Sequence, residues 1–203
     1  DPVNPVIEKL DFDFASCGYA LCIVDTGGSH SDLTDEYAAV RKEMESVAEY
    51  LGKSVLREVD EDEFMKNIAD IRSSCGDRAV LRAMHFYGDN ARVEKQAAAL
   101  KEGDFETFKK YIIESGRSSY MYNQNVYSCK KASEQPVSLA LSLSEKLLDG
   151  CGAWRVHGGG FAGTIQAFVP LNKLDEYKDL MEKVFGSGSC YILSVRPVGG
   201  VEL

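Results

Sequence analysis

Trp154-Arg155-Val156-His157-Gly158-Gly159-Gly160-Phe161-Ala162-Gly163-Thr164 is the stretch on which the fold turns. Gly158, Gly160 and Gly163 fit the spacing G-x-G-x-x-G. In a dinucleotide-binding domain that spacing follows a strand and opens a helix, so that pyrophosphate rests on the helix N-terminus. Here the glycines run on into Thr164-Ile165-Gln166-Ala167-Phe168-Val169-Pro170. β-Branched and aromatic residues ended by a proline make a strand, not a helix. The glycines therefore join two strands, and the dinucleotide reading fails on context.

Outward from this loop the pattern is readable in both directions. Residues 154–156 form the short strand before it and 164–169 the strand after it. Residues 174–185 have the period of an amphipathic helix, and 190–195 form a final strand. Upstream, residues 19–24 are a continuous apolar run, as in a buried central strand. That run ends in a small-residue loop, Asp25-Thr26-Gly27-Gly28-Ser29-His30-Ser31. Before it, Leu10, Phe12 and Phe14 alternate along an extended segment. Between residues 31 and 150 the period is helical. Tyr37, Val40, Met44, Val47 and Leu51 mark a first helix stopped by Gly52. Phe64, Ile68 and Ile71 mark a second, residues 79–100 a third with a weak point at Gly88, and 104–114 a fourth with Asp104 as N-cap. A polar, tyrosine-rich connection over 118–128 leads to a fifth at 137–148. The order is β, helices, β, β, α, β. The expected fold is α+β: a ferredoxin-like split βαβ with several helices inserted in the first crossover. Residues 1–30 would hold strands joining to a preceding lobe and the first core strand, and 31–203 the domain itself.

The 203 residues suit one generous domain or two small ones, and 44% hydrophobic with 27% charged residues is an ordinary globular composition. The opening Asp1-Pro2-Val3-Asn4-Pro5 has no initiator Met and no signal-peptide pattern, so polypeptide is expected upstream. A net charge of −9 argues against nucleic acid or an anionic membrane as partner, and no apolar run is long enough to span a bilayer. Six cysteines, at 17, 22, 75, 129, 151 and 190, have neither zinc-site nor C-x-x-C spacing, and place the chain in the reducing cytoplasm.

The residues alone give little chemistry. The three histidines, His30, His85 and His157, are scattered. No G-x-S-x-G elbow or G-x-x-x-x-G-K-[ST] phosphate loop occurs. The acidic run 60–63 complements a helix dipole more readily than it performs acid–base work. The glycine loop stays open to two readings, a tight hairpin or a close approach to a phosphate or to a loop that binds one.

Taken together, the motifs resemble a family. Arg155, Gly158, Gly159, Gly160, Phe161 and Gly163 match the R-M-T-G-G-G-F-G-G signature of the GHMP small-molecule kinases in its galactokinase form, while Val156, His157 and Ala162 depart from it. His30-Ser31 followed by Glu36-Tyr37 and Val40-Arg41 is similar to that branch's H-S-x-x-x-x-E-Y…R segment. Arg82-Ala83-x-His85 with Arg92 resembles its R-A-x-H helix. Glu114-Ser115, then Tyr122 or Tyr127 with Val126 and Ser128, resembles its E-S…Y-x-V-S stretch. The ordered set covers nearly the whole chain.

The resemblance implies a two-lobed enzyme that moves the γ-phosphoryl group of ATP to the C1 hydroxyl of galactose, with Mg²⁺, in the cleft between its lobes. This chain would be the C-terminal lobe, with an N-terminal lobe as partner. The family's first signature, its phosphate-binding G-G-L-S-S-S-A and its catalytic carboxylate are absent, so no catalytic residue and no metal ligand are expected here, and the chain alone should be inactive. Tyr37 would border the sugar, or else serve as an apolar anchor on its helix. His30, Ser31, Gly158, Gly159, Gly160 and Phe161 would form active-site loops. Ser29 stands where many relatives carry a basic residue, a departure from the resemblance. A kinase for another sugar or small alcohol, or a non-catalytic galactose- and ATP-binding regulator, are the alternatives.

Overall fold

Strand β1 (Tyr19–Asp25) organises the sheet, because its alternating burial supplies both faces. The structure, a computed structural model, describes residues 7–10, 12–28 and 32–195. With β2 (Ala153–Val156), β3 (Thr164–Pro170) and β4 (Cys190–Leu193), β1 makes a four-stranded sheet in the order β2-β3-β1-β4. Every pairing is antiparallel, with Cys22 opposite Ala167, Val24 opposite Cys190 and Trp154 opposite Ala167. Each crossover therefore skips one strand, which is the split βαβ arrangement.

Period-two alternation sorts the side chains between two cores. On one face Ala20, Cys22, Val24, Trp154, Val156, Ile165, Ala167 and Val169 meet helices α6 (Pro136–Leu148) and α7 (Leu174–Phe185) through Val137, Ala140, Leu148, Tyr177 and Met181. Cys22 and Cys190 are buried free thiols in this layer, acting as small core residues. On the other face Ala153 and Phe168 meet α5 (Phe105–Ser118) through Phe105, Phe108 and Ile112. Phe12 and Phe14 join this aromatic cluster, with ring centroids 5.1 Å apart for Phe14 and Phe168. Phe12 and Phe14 reach the cluster, and the described residues 7–10 and 12–14 form no strand.

The inserted helices build a separate core. α1 (Thr34–Tyr50), α2 (Glu61–Lys66), α3 (Ile68–Cys75) and α4 (Asp77–Glu102) close over Val47, Ala48, Leu56, Phe64, Ile71, Val80 and Ala83. The sequence predicts one helix through Phe64, Ile68 and Ile71. The structure breaks it at Asn67, which turns back to the carbonyls of Glu63 and Phe64 through its backbone N–H and to Glu63 through its side chain. A local side-chain bond of this kind competes with helix continuation. α4 instead runs unbroken through Gly88, and Asp104 caps α5 by accepting from the Thr107 N–H at 3.0 Å. α5 continues four residues beyond the expected 114 and passes into a π-helical turn, Ser119–Asn123. No helix among the described residues is long and apolar enough to cross a membrane.

Candidate functional site

The loop between β2 and β3 is held in a left-handed conformation that glycine makes accessible. Gly158, Gly160 and Gly163 have φ of 70°, 80° and 83°, and Phe161 itself sits at φ 60°. Positive φ costs a residue with a side chain free energy, so Phe161 must be held from outside. Its N–H donates to the Asn125 carbonyl at 2.5 Å, and its buried ring meets Tyr37 edge-on at 5.4 Å. The Tyr37 hydroxyl donates to the Gly160 carbonyl at 2.7 Å, and burial pushes its pKa up, so it remains a donor at neutral pH. Asn125 Nδ2 donates to the Gly159 carbonyl at 3.2 Å. Two glycines are sterically required as well. A Cβ on Gly159 would lie 2.8 Å from the Tyr37 ring, and one on Gly160 would lie 1.8 Å from the Asn125 carbonyl oxygen.

The loop is a wall between two cavities. On one side lies an open cleft of about 780 Å³, whose lining includes Thr26, Gly28, Leu33, Ser128, Lys130, Lys131 and Phe161. On the other lies a cavity of about 520 Å³ lined by Tyr37, Val40, Met44, Phe86, Asn125 and Gly159 among others. Thr26 ties the loop to the end of β1: its backbone N–H and its hydroxyl both donate to the Gly163 carbonyl, at 2.8 and 2.6 Å.

A buried polar cluster braces the site from beneath. Arg155, at the start of the glycine stretch, donates to Ser115 Oγ at 2.7 Å, and Ser115 donates to Asp89 at 2.6 Å. Arg92 binds the same carboxylate at 3.0 Å. Burial works against the Asp89 carboxylate, but the bonds from Ser115 and Arg92 outweigh it and hold its pKa below the ordinary range. His85 Nδ1 meets Ser118 Oγ at 2.9 Å, and burial pushes the imidazole pKa down, toward the neutral form. Arg82, 1% exposed, donates to the Asn123 carbonyl at 3.1 Å and to Glu43 at 2.8 Å. Closing the circle, Ser128 donates to Glu36 at 2.6 Å.

These contacts join the separate sequence motifs: Glu36 to Ser128, Tyr37 to Gly160, Ser115 to Arg155. Human galactokinase is 31% identical over 184 residues, which is 91% of this chain and 44% of that protein. The chain is a relative of the galactokinases. The galactokinase of Thermosipho africanus is 29% identical over 182 residues, 88% of this chain and 47% of its own length. That of Thermotoga neapolitana is 31% identical over 167 residues, 82% and 42% respectively. The chain thus spans less than half the length of these relatives, and it corresponds to their C-terminal portion. A solved structure, Lactococcus lactis galactokinase complexed with galactose, superposes with a TM-score of 0.65 over 92% of this chain and 46% of that one. At 20% identity that likeness speaks for the fold. No family model matches the chain.

Against this galactokinase frame, the expected site residues fall into two groups. Tyr37, Gly159, Gly160 and Phe161 come together as one packed unit, and Gly158 lines the cavity beside Tyr37. His30 and Ser31 lie outside the described residues; Gly28 and Asp32 line the larger cleft. His157 stands apart from both cavities and pairs with Gln166 at 3.0 Å. Sequence reasoning missed Asn125, since its contribution runs through a backbone carbonyl and one amide nitrogen. It also missed Asp89, whose placement three residues before Arg92 was the available signal.

Proposed function

We propose that the chain is the C-terminal part of an ATP-dependent galactose kinase, in which the γ-phosphoryl group moves to the C1 hydroxyl. What carries the reading is the contact between motifs: each segment on which the galactokinase likeness rests touches another, around one loop. Such an arrangement serves phosphoryl transfer, whose catalysis is positioning and charge stabilisation more than covalent work by the protein. In the transfer the bond from the γ-phosphorus to the β–γ bridging oxygen breaks, a bond to the sugar oxygen forms, and the hydroxyl proton passes to a base outside this chain.

Tyr37 is proposed to border the sugar. Its ring can pack on a sugar face. His30, Ser31 and the loop from Gly158 to Phe161 are proposed to close the site. The cleft carries Ser128, Lys130 and Lys131, the lysines paired with Asp35, Asp32 and Glu134, as polar groups that an anionic nucleotide could meet. For Mg²⁺ the fit is poor: among the described residues no group of three or more His, Cys, Asp or Glu side chains is placed to hold an ion. Metal-bound phosphates are proposed to lie with an N-terminal lobe, and the proposed setting is the cytoplasm.

The test is ADP formation by the full natural polypeptide containing this chain, with ATP, Mg²⁺ and a panel of sugars. Turnover preferring galactose is expected, and none from the 203-residue chain alone. Turnover on another substrate would discard galactose while keeping the kinase. Turnover by the chain alone at about 1–100 s⁻¹ would overturn the assignment of catalytic groups elsewhere.

A further inference from the structure

We propose that Asn125 is a positioning residue of this site, its side-chain amide fixing the glycine loop in the shape that phosphoryl transfer requires. The proposal rests on the transfer reading above.

Asn125 meets three consecutive loop residues: Nδ2 bonds the Gly159 carbonyl, the backbone oxygen lies against the Cα of Gly160, and the same oxygen accepts from the Phe161 N–H. The backbone contacts would survive any substitution that kept the fold. The Nδ2 bond depends on the side chain, and its carbonyl partner, Gly159, lies in the wall between the two cavities.

The state of the amide's other half argues that this bond is why asparagine stands here. Asn125 is 4% exposed, and its Oδ1 has no hydrogen-bond partner among the described residues. A buried amide oxygen without a partner is costly, and an apolar side chain of similar size would avoid that cost. The residue's usable chemistry is the single donor aimed at the loop.

The backbone is arranged to deliver that donor. The π-helical turn ends at Gln124, at φ 54°, whose N–H closes on the Ser119 carbonyl at 2.8 Å. This reversal swings Asn125 off the helix line toward the loop. Two residues back, the Asn123 carbonyl is anchored by Arg82, itself held by Glu43. A rigid chain of contacts thus runs from α1 and α4 through Asn123 and Asn125 to Gly159.

The experiment uses the full natural polypeptide. In Asn125→Ala, kcat is expected to fall about 10- to 100-fold with the sugar KM little changed, since misplaced groups slow transfer more than they weaken binding. Amide hydrogen exchange over 158–161 should quicken in the same variant. Asn125→Leu, close in size but without the donor, is expected to behave alike; wild-type kinetics and exchange in it would show that volume alone matters and would overturn the proposal. A measurement on the unmodified protein guards against variants that fail to fold. The Asn125 side-chain amide protons should exchange slowly in its NMR spectrum, and exchange at the rate of a free amide would sink the proposal. If the wild type turns over no sugar at all, the transfer reading fails, while the exchange data still decide whether Asn125 holds the loop.

Discussion

Gly160 lies so close to Asn125 that the Cα of one faces the backbone oxygen of the other with no room for a methyl group: a Cβ would sit 1.8 Å from that oxygen. Gly158, two residues earlier, has a comparable φ of 70° but nothing within 4 Å of a built Cβ. The pair separates conformational cost from steric cost. Gly158→Ala should lose about 1 kcal/mol, the usual cost of forcing a left-handed backbone on alanine. Gly160→Ala must also displace the loop from Asn125, and should lose at least twice that. Chemical denaturation of both variants provides the comparison, and equal losses would show the clash is relieved by a small shift.

The Tyr37 hydroxyl and ring have separable roles. Tyr37→Phe removes the bond to the Gly160 carbonyl and keeps the edge-on contact with Phe161. The expected loss is about 1 kcal/mol, a typical net value for one hydrogen bond. Tyr37→Ala should cost clearly more, because the ring fills the space beside Gly159. Thermal melts of the two variants measure the difference.

His85 should give stability a pH dependence in mild acid. The groups facing it are Asp89, which favours the charged form, and Arg92 and Arg155, which oppose it; burial dominates and depresses its pKa. A group whose folded pKa is depressed stabilises above its unfolded value and loses that contribution as pH falls. The loss should therefore begin below about pH 6.5, the ordinary histidine value. Asp89, also depressed, adds its own loss at lower pH, below about 4. Melting temperature followed from pH 7.5 to 5 should decline in the wild type and flatten in His85→Gln; an unchanged slope in the variant would assign the dependence elsewhere.

Asp89 holds the brace under the glycine loop together, through Ser115 and Arg92 directly and through Ser115 to Arg155. Asp89→Ala leaves two largely buried guanidinium groups without their carboxylate. Removing one partner of a buried ion pair typically costs about 3–5 kcal/mol, and partial exposure here favours the lower end. Ser115→Ala, which removes a neutral link and leaves the charges near each other, should cost about 1 kcal/mol. Urea titration of both variants tests the order.

What the sequence made legible follows from which forces are local. Thr164 to Pro170 reads as a strand because alternation and β-branching act within the segment itself, and that reading placed the glycines between strands and fixed the split βαβ order. α7 was visible to the residue for the same reason. The break at Asn67 was not, since Phe64, Ile68 and Ile71 keep helical phase across it and the cause is one side chain turning back to Glu63. The site was legible as a set of ordered motifs, yet their contacts were not: Glu36 and Ser128 meet only because the π-helical turn and the Gln124 reversal bring the second segment back to the first helix. Asn125 was not legible either, because its two contacts with the loop, through its carbonyl and through Nδ2, depend on the fold bringing residue 125 to the loop and on no local pattern.

Among the described residues, the two edges of the sheet are covered unequally. β2, at one end, is covered by α5 and α6, and Ala153, Trp154 and Val156 are buried. At the other end Tyr191, Ile192 and Leu193 of β4 are 52%, 48% and 46% exposed, and residues 190–195 include no charged side chain or proline. An uncharged, apolar edge strand is a template for pairing with another chain. The 203-residue chain, studied by itself, is therefore expected to self-associate despite its net charge of −9. Leu193→Lys puts a charge on that edge without disturbing the buried face, so it should shift the chain toward monomer while changing folding stability by no more than about 0.5 kcal/mol. Sedimentation velocity across a concentration series reads this out directly. A wild-type chain that stays monomeric throughout would mean that the short length of β4, four residues, is protection enough.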